Sequence, residues 1–152
     1  MAKPKGENIK KKKKIDEEEW LKNTEVASNF LMFTPDNGKT ISEDKKTEVK
    51  VLYDNDAIYI SALLYDNEPE KIQRELTERD VFGVADHFAV YINGFNDGQQ
   101  DYRFYVSTSG VQMDCLATEE NEDFTWDAIW QSKVKITDFG WSVEMKIPYA
   151  AI

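Results

Sequence analysis

The chain alternates apolar and polar residues over most of its length after residue 47. A period of two is typical of β-strands that bury one face. Residues 57–65 are apolar at almost every position, which indicates a central strand covered on both sides. Seven strands are predicted, over residues 48–53, 57–65, 87–93, 102–108, 111–117, 130–136 and 141–147.

Short turn sequences separate these strands. Asp-Asn-Asp at 54–56, Ser109-Gly110 and the sequence TDFG at 137–140 all favour tight reversals of the chain. Pro148 ends the last strand because it has no N–H to donate to a ladder. Seven short strands joined in this way predict an all-β fold, an antiparallel β-sandwich of the immunoglobulin or jelly-roll kind.

Helical signals are few and short. Residues 15–23 are predicted to form one helical turn, with acidic residues in the favourable first-turn positions. Residues 69–79 are predicted to form a second helix, because Pro69 suits a first helical position and Ile72 and Leu76 lie four apart. The second half of that segment equally suits an edge strand.

Trp126 and Trp130 lie four positions apart, so both point to one side of a strand or of a helix. Trp130 opens a predicted strand whose buried face continues through Val134 and Ile136, which indicates a core residue. Trp126 precedes that strand among acidic loop residues. Core packing is favoured for Trp126, and ligand contact stays open.

Charge is distributed unevenly along the chain. Residues 1–14 carry seven lysines and one glutamate, a net +6; because the whole chain carries −10, the other 138 residues carry −16. We expect residues 1–14 to be a solvated basic leader, although such a run also occurs in nucleic-acid and membrane patches. A body this acidic repels phosphate groups, so no nucleic-acid partner is expected. No apolar run approaches the roughly 18 residues of a membrane span, so direct membrane insertion by this chain is not expected.

Few residues suggest catalysis. Cys115 is the single cysteine and lies in an alternating apolar stretch, which predicts a buried, inert thiol. His87 is the single histidine and has no nucleophile motif or ligand spacing around it, so a structural role is expected. Among 29 acidic residues some pair will match glycosidase spacing by chance, which is no evidence for that activity. The chain is therefore predicted not to be an enzyme.

Several long blocks of this sequence, in order, resemble the carbohydrate-binding module family 9-like domain. More closely, they resemble such a domain at the N-terminus of large Bacteroidetes-type cell-envelope proteins of unknown function. The blocks are residues 14–20, 47–66, 76–80, 85–114 and 123–152.

The resemblance implies a role as well as a fold. The chain is expected to be a non-catalytic carbohydrate-binding-like module of an exported protein linked to polysaccharide binding or breakdown, with xylan as one candidate. Its expected location is periplasmic, outer-membrane-associated or extracellular. The alternative is a structural accessory sandwich that packs on the rest of its parent protein and binds no sugar. The two roles share one fold, so only a binding measurement separates them.

Family members continue into further strands beyond the position of residues 147–152. The resemblance thus implies that residues 15–152 form a sandwich truncated at its C-terminus, and that the remainder of the parent chain is a partner. An edge strand left free in this way would favour a dimer, because an unpaired edge is a template for another strand.

The resemblance also implies candidate site residues. Sugars pack their C–H faces on aromatic rings while polar side chains contact the hydroxyls. One stacking ring of the sugar-binding members lies in the loop that precedes the strand at 87–93, where Phe82 is the nearest aromatic residue here. The candidate ligand-binding residues are Phe82, Asp86, Arg103, Tyr105 and Trp126.

Acidic loops raise the question of a metal ion. Residues 54–57, 96–101 and 119–123 cluster the oxygen ligands that calcium prefers, and none completes the loop of a calcium hand. Asp and Asn are also common in such loops because they tolerate turn geometry. Structural calcium is a candidate cofactor, with Asp97 and Asp101 as its candidate ligands.

Overall fold

The structure, a computed structural model, describes Lys22 and residues 25–152. Eight strands form two four-stranded antiparallel sheets, and three 3₁₀ turns are the helical elements of residues 25–152. The strands are β1 (Thr47–Tyr53), β2 (Ala57–Tyr65), β3 (His87–Ile92), β4 (Gln100–Ser107), β5 (Gln112–Thr118), β6 (Glu122–Asp123), β7 (Gln131–Thr137) and β8 (Gly140–Pro148). The turns are Glu43–Lys45, Pro69–Lys71 and Tyr149–Ala151.

The first sheet has the strand order β1-β2-β8-β7 and the second has the order β3-β4-β5-β6. The predicted all-β sandwich is confirmed, and all seven predicted strands are present with small shifts at their ends. β6 was not predicted, because two residues are too short to show an alternating pattern.

Apolar side chains from the facing sides of both sheets form the main core. Trp130 is only 5% exposed, which confirms its predicted place in that core. The fully or almost fully buried members from the strands are Ile60, Ala62, Phe104, Val106, Trp141, Val143, Met145 and Ile147.

A second, smaller apolar cluster lies on the other face of β4 and β5. Tyr105, Met113, Cys115 and Ala117 are buried there, and the partly buried Ala89 and Phe124 pack against them. The second sheet is therefore covered on both of its faces at its centre. Its inner face meets the first sheet, and its outer face is covered by loop residues.

The predicted helix over residues 69–79 is wrong beyond its first turn. Only Pro69–Lys71 is helical, and the alternative of an edge strand reduces to one isolated bridge between Arg74 and Ala85. The reason is packing against the rest of the domain, because Ile72 is buried in the main core whereas Leu76 is 79% exposed. The two residues therefore do not share a buried helical face. The predicted leader 1–14 and helical turn 15–23 lie outside the described residues, apart from Lys22.

Burial of Cys115 leads to a testable expectation about its chemistry. The side chain is fully buried, which confirms the predicted burial, and burial raises the pKa of its thiol. Because the thiolate is the reactive form, Ellman's reagent at pH 8 should label the folded protein on the order of 100-fold more slowly than the urea-unfolded protein. Equal labelling rates with and without urea would contradict the buried position.

Candidate functional site

The outer face of the second sheet carries a group of aromatic and charged side chains. Tyr91 on β3 is directly opposite Arg103 on β4, and Ala89 is opposite Tyr105, so all four lie on one face. Phe82 lies over this face from the loop before β3, in contact with Tyr105 and His87. We call the surface made by Phe82, His87, Tyr91 and Arg103, together with the buried Tyr105 beneath them, the outer-face platform.

Tyr91 is 56% exposed, compared with 38% for Phe82 and 5% for Tyr105. The Arg103 guanidinium carbon lies 4.6 Å from its ring centroid, which is a cation–π contact. The Tyr105 hydroxyl donates a hydrogen bond to the Tyr91 hydroxyl over 3.2 Å. These contacts fix the orientation of Tyr91 while much of its surface stays in contact with solvent.

Arg103 is held in place by carboxylates. Its Nε donates to Asp101 Oδ2 over 2.9 Å and its Nη1 donates to Glu122 Oε1. Hydrogen bonding to Asp101 raises the pKa of Arg103 still further above its ordinary value, so the group is always charged. One guanidinium thus sits between two carboxylates and an aromatic ring, with a fixed orientation.

Phe82 covers the buried part of the platform. It is 38% exposed and makes edge-on contacts with His87, Tyr105 and Phe124 at centroid distances of 5.5, 5.2 and 5.7 Å. Tyr105 beneath it is only 5% exposed, and burial raises the pKa of its hydroxyl. Phe82 therefore packs on the sheet and also presents part of its ring to solvent.

The loop that carries Phe82 is attached to the edge of β5. The Asp80 N–H donates to Gln112 O over 3.2 Å, and the Asp114 N–H donates to Asp80 Oδ1 over 3.2 Å. Asp80 has a φ of 63°, in the left-handed region that Asp tolerates better than most residues. Asp80 thereby occupies the edge of β5 at a point that the short β6 does not reach.

Asp114 on β5 is a fully buried acid. Trp130 Nε1 donates to its carboxylate over 2.7 Å, the Ala128 N–H donates over 3.0 Å, and Arg79 completes the set. Burial raises the pKa of this carboxyl group. The hydrogen bonds from Trp130 and Ala128 and the charge of Arg79 lower it, but burial has the larger effect. Arg79 also contacts the Asp127 carboxylate at 2.9 Å. This network joins the Phe82 loop to the segment that contains both tryptophans.

The structure brings three of the five candidate ligand residues together. Phe82, Arg103 and Tyr105 all belong to the outer-face platform. Asp86 is exposed at the start of β3, where its backbone bonds to Gln73 and Thr108. Trp126 lies on the opposite side of the second sheet, away from the platform.

Trp126 packs against the main core, as was favoured, and is partly exposed beside a groove. Its ring centroid lies 5.3 Å from that of Tyr102 and 6.1 Å from that of Phe104. The groove has a volume of about 620 Å³ and is also lined by Ala150 and Ala151 of the last turn and by Ile152 after it.

Tyr91 was not among the site residues predicted from the sequence. The signal was available: alternation from the inward-facing, partly buried Phe88 and Val90 places Tyr91 on the other face of β3. What the pattern did not supply was the register that puts Tyr91 opposite Arg103.

The candidate calcium ligands already have partners within the chain. Asp97 Oδ1 accepts the Gln99 N–H over 3.0 Å, and Asp101 is paired with Arg103. No group of three His, Cys, Asp or Glu side chains able to hold a metal ion occurs within the described part of the chain. Calcium binding at Asp97 and Asp101 stays a prediction.

The two four-stranded sheets form a β-sandwich, a fold that serves many functions, so the fold alone does not define the role of this chain. The family model described as carbohydrate family 9 binding domain-like matches residues 14–152, and the chain belongs to this family. The resemblance to the carbohydrate-binding module family 9-like domain is thereby confirmed. Comparison with curated proteins and with solved structures found no match.

Family membership agrees with the prediction that the chain is not an enzyme, since domains of this kind bind rather than catalyse. Within the described residues, no helix is long and apolar enough to cross a membrane.

Proposed function

We propose that the chain is a non-catalytic module that binds a polysaccharide or oligosaccharide on the outer-face platform. The observation that carries the proposal is Tyr91, a ring 56% exposed whose orientation is fixed by Arg103. Sugar rings pack their C–H faces on such rings, and a ring that is already oriented loses little freedom on binding. Membership of a carbohydrate-binding family supports the same class of ligand.

Polar groups next to Tyr91 suit the hydroxyl groups of a sugar. Asp101 and Glu122 have side chains 25% and 47% exposed, and both are oriented by Arg103. A carboxylate has about four acceptor positions, so each can accept a sugar hydroxyl while it is bonded to the guanidinium. Phe82 extends the apolar area, and Asp86 lies exposed where β3 begins. Trp126 we assign instead to the groove on the other side of the sheet.

The wider role that we propose is that of a module in an exported protein, located in the periplasm, at the outer membrane or outside the cell. The bound glycan would link the parent protein to polysaccharide binding or breakdown, with xylan as the first glycan to test. The alternative is an accessory sandwich that packs on its parent protein and binds no sugar. It predicts no binding to any glycan.

Affinity gel electrophoresis in xylan, with calorimetry on cello-oligosaccharides, tests the platform. Tyr91→Ala is expected to raise the Kd about tenfold, because aromatic contacts of this kind contribute about 1 kcal/mol or more. Tyr91→Phe keeps the ring and should bind within about threefold of the unaltered chain, a difference under 1 kcal/mol.

Tyr53→Ala provides the matched control, because Tyr53 is 79% exposed on β1 of the other sheet. It should leave the Kd unchanged. Equal losses from Tyr53→Ala and Tyr91→Ala would remove the platform as the site. If the unaltered chain binds no glycan, the accessory role replaces the one proposed.

A further inference from the structure

Three of the four strands at the sheet edges have features that discourage further strand pairing. β1 is bridged by Ala27, which exchanges two hydrogen bonds of 2.9 Å with Val49. β7 carries Lys133 and Lys135, and β6 is only two residues long. The edge of β1 is therefore occupied by another residue, that of β7 carries charge, and that of β6 is short.

Over residues 87–92, β3 has no such feature within the described part of the chain; the bridge between Arg74 and Ala85 lies just before the strand. Its sequence HFAVYI contains no Pro, Gly, Lys, Arg, Asp or Glu over six residues. Within the described part of the chain, the backbone hydrogen bonds of residues 88–92 all go to β4. Its inward side chains Phe88, Val90 and Ile92 pack on the core but are only partly buried, whereas Phe104 on β4 is fully buried.

We propose that the free edge of β3 pairs with β3 of a second copy of this chain, as two antiparallel strands. A two-fold axis perpendicular to the sheet places residues of the same face opposite one another. The register centred on Val90 then places Phe88 opposite Ile92 of the second copy on the inner face. On the outer face it places the small Ala89 opposite the large Tyr91, so large and small side chains alternate across the contact.

A second copy suits this edge because β3 has no charge that would face itself. Close to a two-fold axis, a residue lies opposite the same residue of the other copy or one of its near neighbours. Like charges directly opposite each other destabilise a pair of strands. The same pairing at β7 would bring Lys133 and Lys135 against the lysines of the other copy. The lack of charge on β3 therefore selects it as the self-pairing edge.

Pairing at β3 joins the two second sheets into one sheet of eight strands. The two outer faces then lie on the same side, and each Tyr91 lies next to the contact. If the outer-face platform binds glycan as proposed, the pair presents two platforms to one polysaccharide chain. Dimer formation itself does not depend on glycan binding, so each is measured separately.

Sedimentation velocity over a wide concentration series, without glycan, tests the contact. The 17.6 kDa chain is expected to move from monomer to dimer as its concentration rises. Val90→Lys places two ammonium groups at the two-fold axis and should remain monomeric throughout. Val51→Lys is the matched control, since Val51 is 58% exposed on the bridged edge strand β1, and it should dimerise like the unaltered chain.

Hydrogen exchange on the unaltered chain identifies the edge without relying on a variant that folds. Protection of the amides in residues 88–92 should increase with protein concentration, while that of β7 should not change. An unaltered chain that stays monomeric overturns the proposal. A dimer whose concentration-dependent protection falls on another edge, or one that Val90→Lys leaves intact, overturns it as well.

Discussion

Gly140→Ala is expected to destabilise the protein by at least about 3 kcal/mol, enough to unfold much of a marginally stable domain. A Cβ at this position would lie 2.0 Å from the Leu64 carbonyl oxygen and 2.8 Å from the Asp66 nitrogen, both of which are backbone atoms. Gly140 also has a φ of +138°, which side chains rarely tolerate. Because β8 starts here and pairs with both β2 and β7, neither neighbour has room to move.

Urea unfolding followed by circular dichroism measures this effect. Gly98→Ala is the matched control, since Gly98 has a φ of +70° but no atom within 4 Å of an added Cβ. Gly98→Ala should lower the free energy of unfolding only by the backbone strain, about 1–2 kcal/mol. Equal losses from the two substitutions would show that the close approach at Gly140 does not matter.

Asp114→Ala is expected to lower the free energy of unfolding by about 3 kcal/mol. The substitution removes the acceptor of Trp130 Nε1 and of the Ala128 N–H, and it removes one of the acceptors of the Arg79 guanidinium, which also donates to Asp127. The first two are buried with the core, and water does not replace the lost carboxylate readily. Differential scanning calorimetry and urea unfolding both measure the loss.

Asp127→Ala serves as its control, because this side chain also pairs with Arg79 but is 71% exposed. An exposed ion pair contributes less than about 1 kcal/mol, so this change should be small. A loss from Asp127→Ala as large as that from Asp114→Ala would contradict the role given to the buried acid.

The effect of Asp114→Ala should also depend on pH. The pKa of Asp114 is raised above its ordinary value of 3.8, chiefly by burial. A raised pKa in the folded state adds stability that is fully present below 3.8 and is lost as the pH rises through the raised value. The difference in stability between the unaltered chain and Asp114→Ala should therefore shrink as the pH increases across that interval.

The strands could be predicted because each one follows a local rule. Alternation in a strand such as β8 reflects one buried face, and the turn before it is marked by residues that favour reversal. The limits of such a rule appear on β1, where Val49 is buried but Val51 and Tyr53 are 58% and 79% exposed. The pattern predicts which face turns inward, but it does not show how far the opposite sheet extends.

Residues 72–86 could not be predicted because distant contacts determine their path. Arg79 meets Asp114, which lies 35 positions later, and Asp80 bonds to the same strand. No periodicity within the segment encodes those partners. Arg103 and Tyr105 could be grouped from the sequence because they share a strand, whereas adding Tyr91 required the pairing of β3 with β4.

The loop that carries Arg79 and Phe82 makes contacts with distant parts of the second sheet, unlike the loop at residues 94–99. Arg79 reaches the buried Asp114, while Phe82 covers the outer cluster around Tyr105. Its length is therefore fixed by contacts with both faces of one sheet. Residues 94–99 are all exposed, and their N–H groups bond locally, to the side chains of Asn93 and Asp97. Among members of this family, insertions should accordingly accumulate in the loop that corresponds to residues 94–99. The loop that carries Arg79 and Phe82 should keep a constant number of residues.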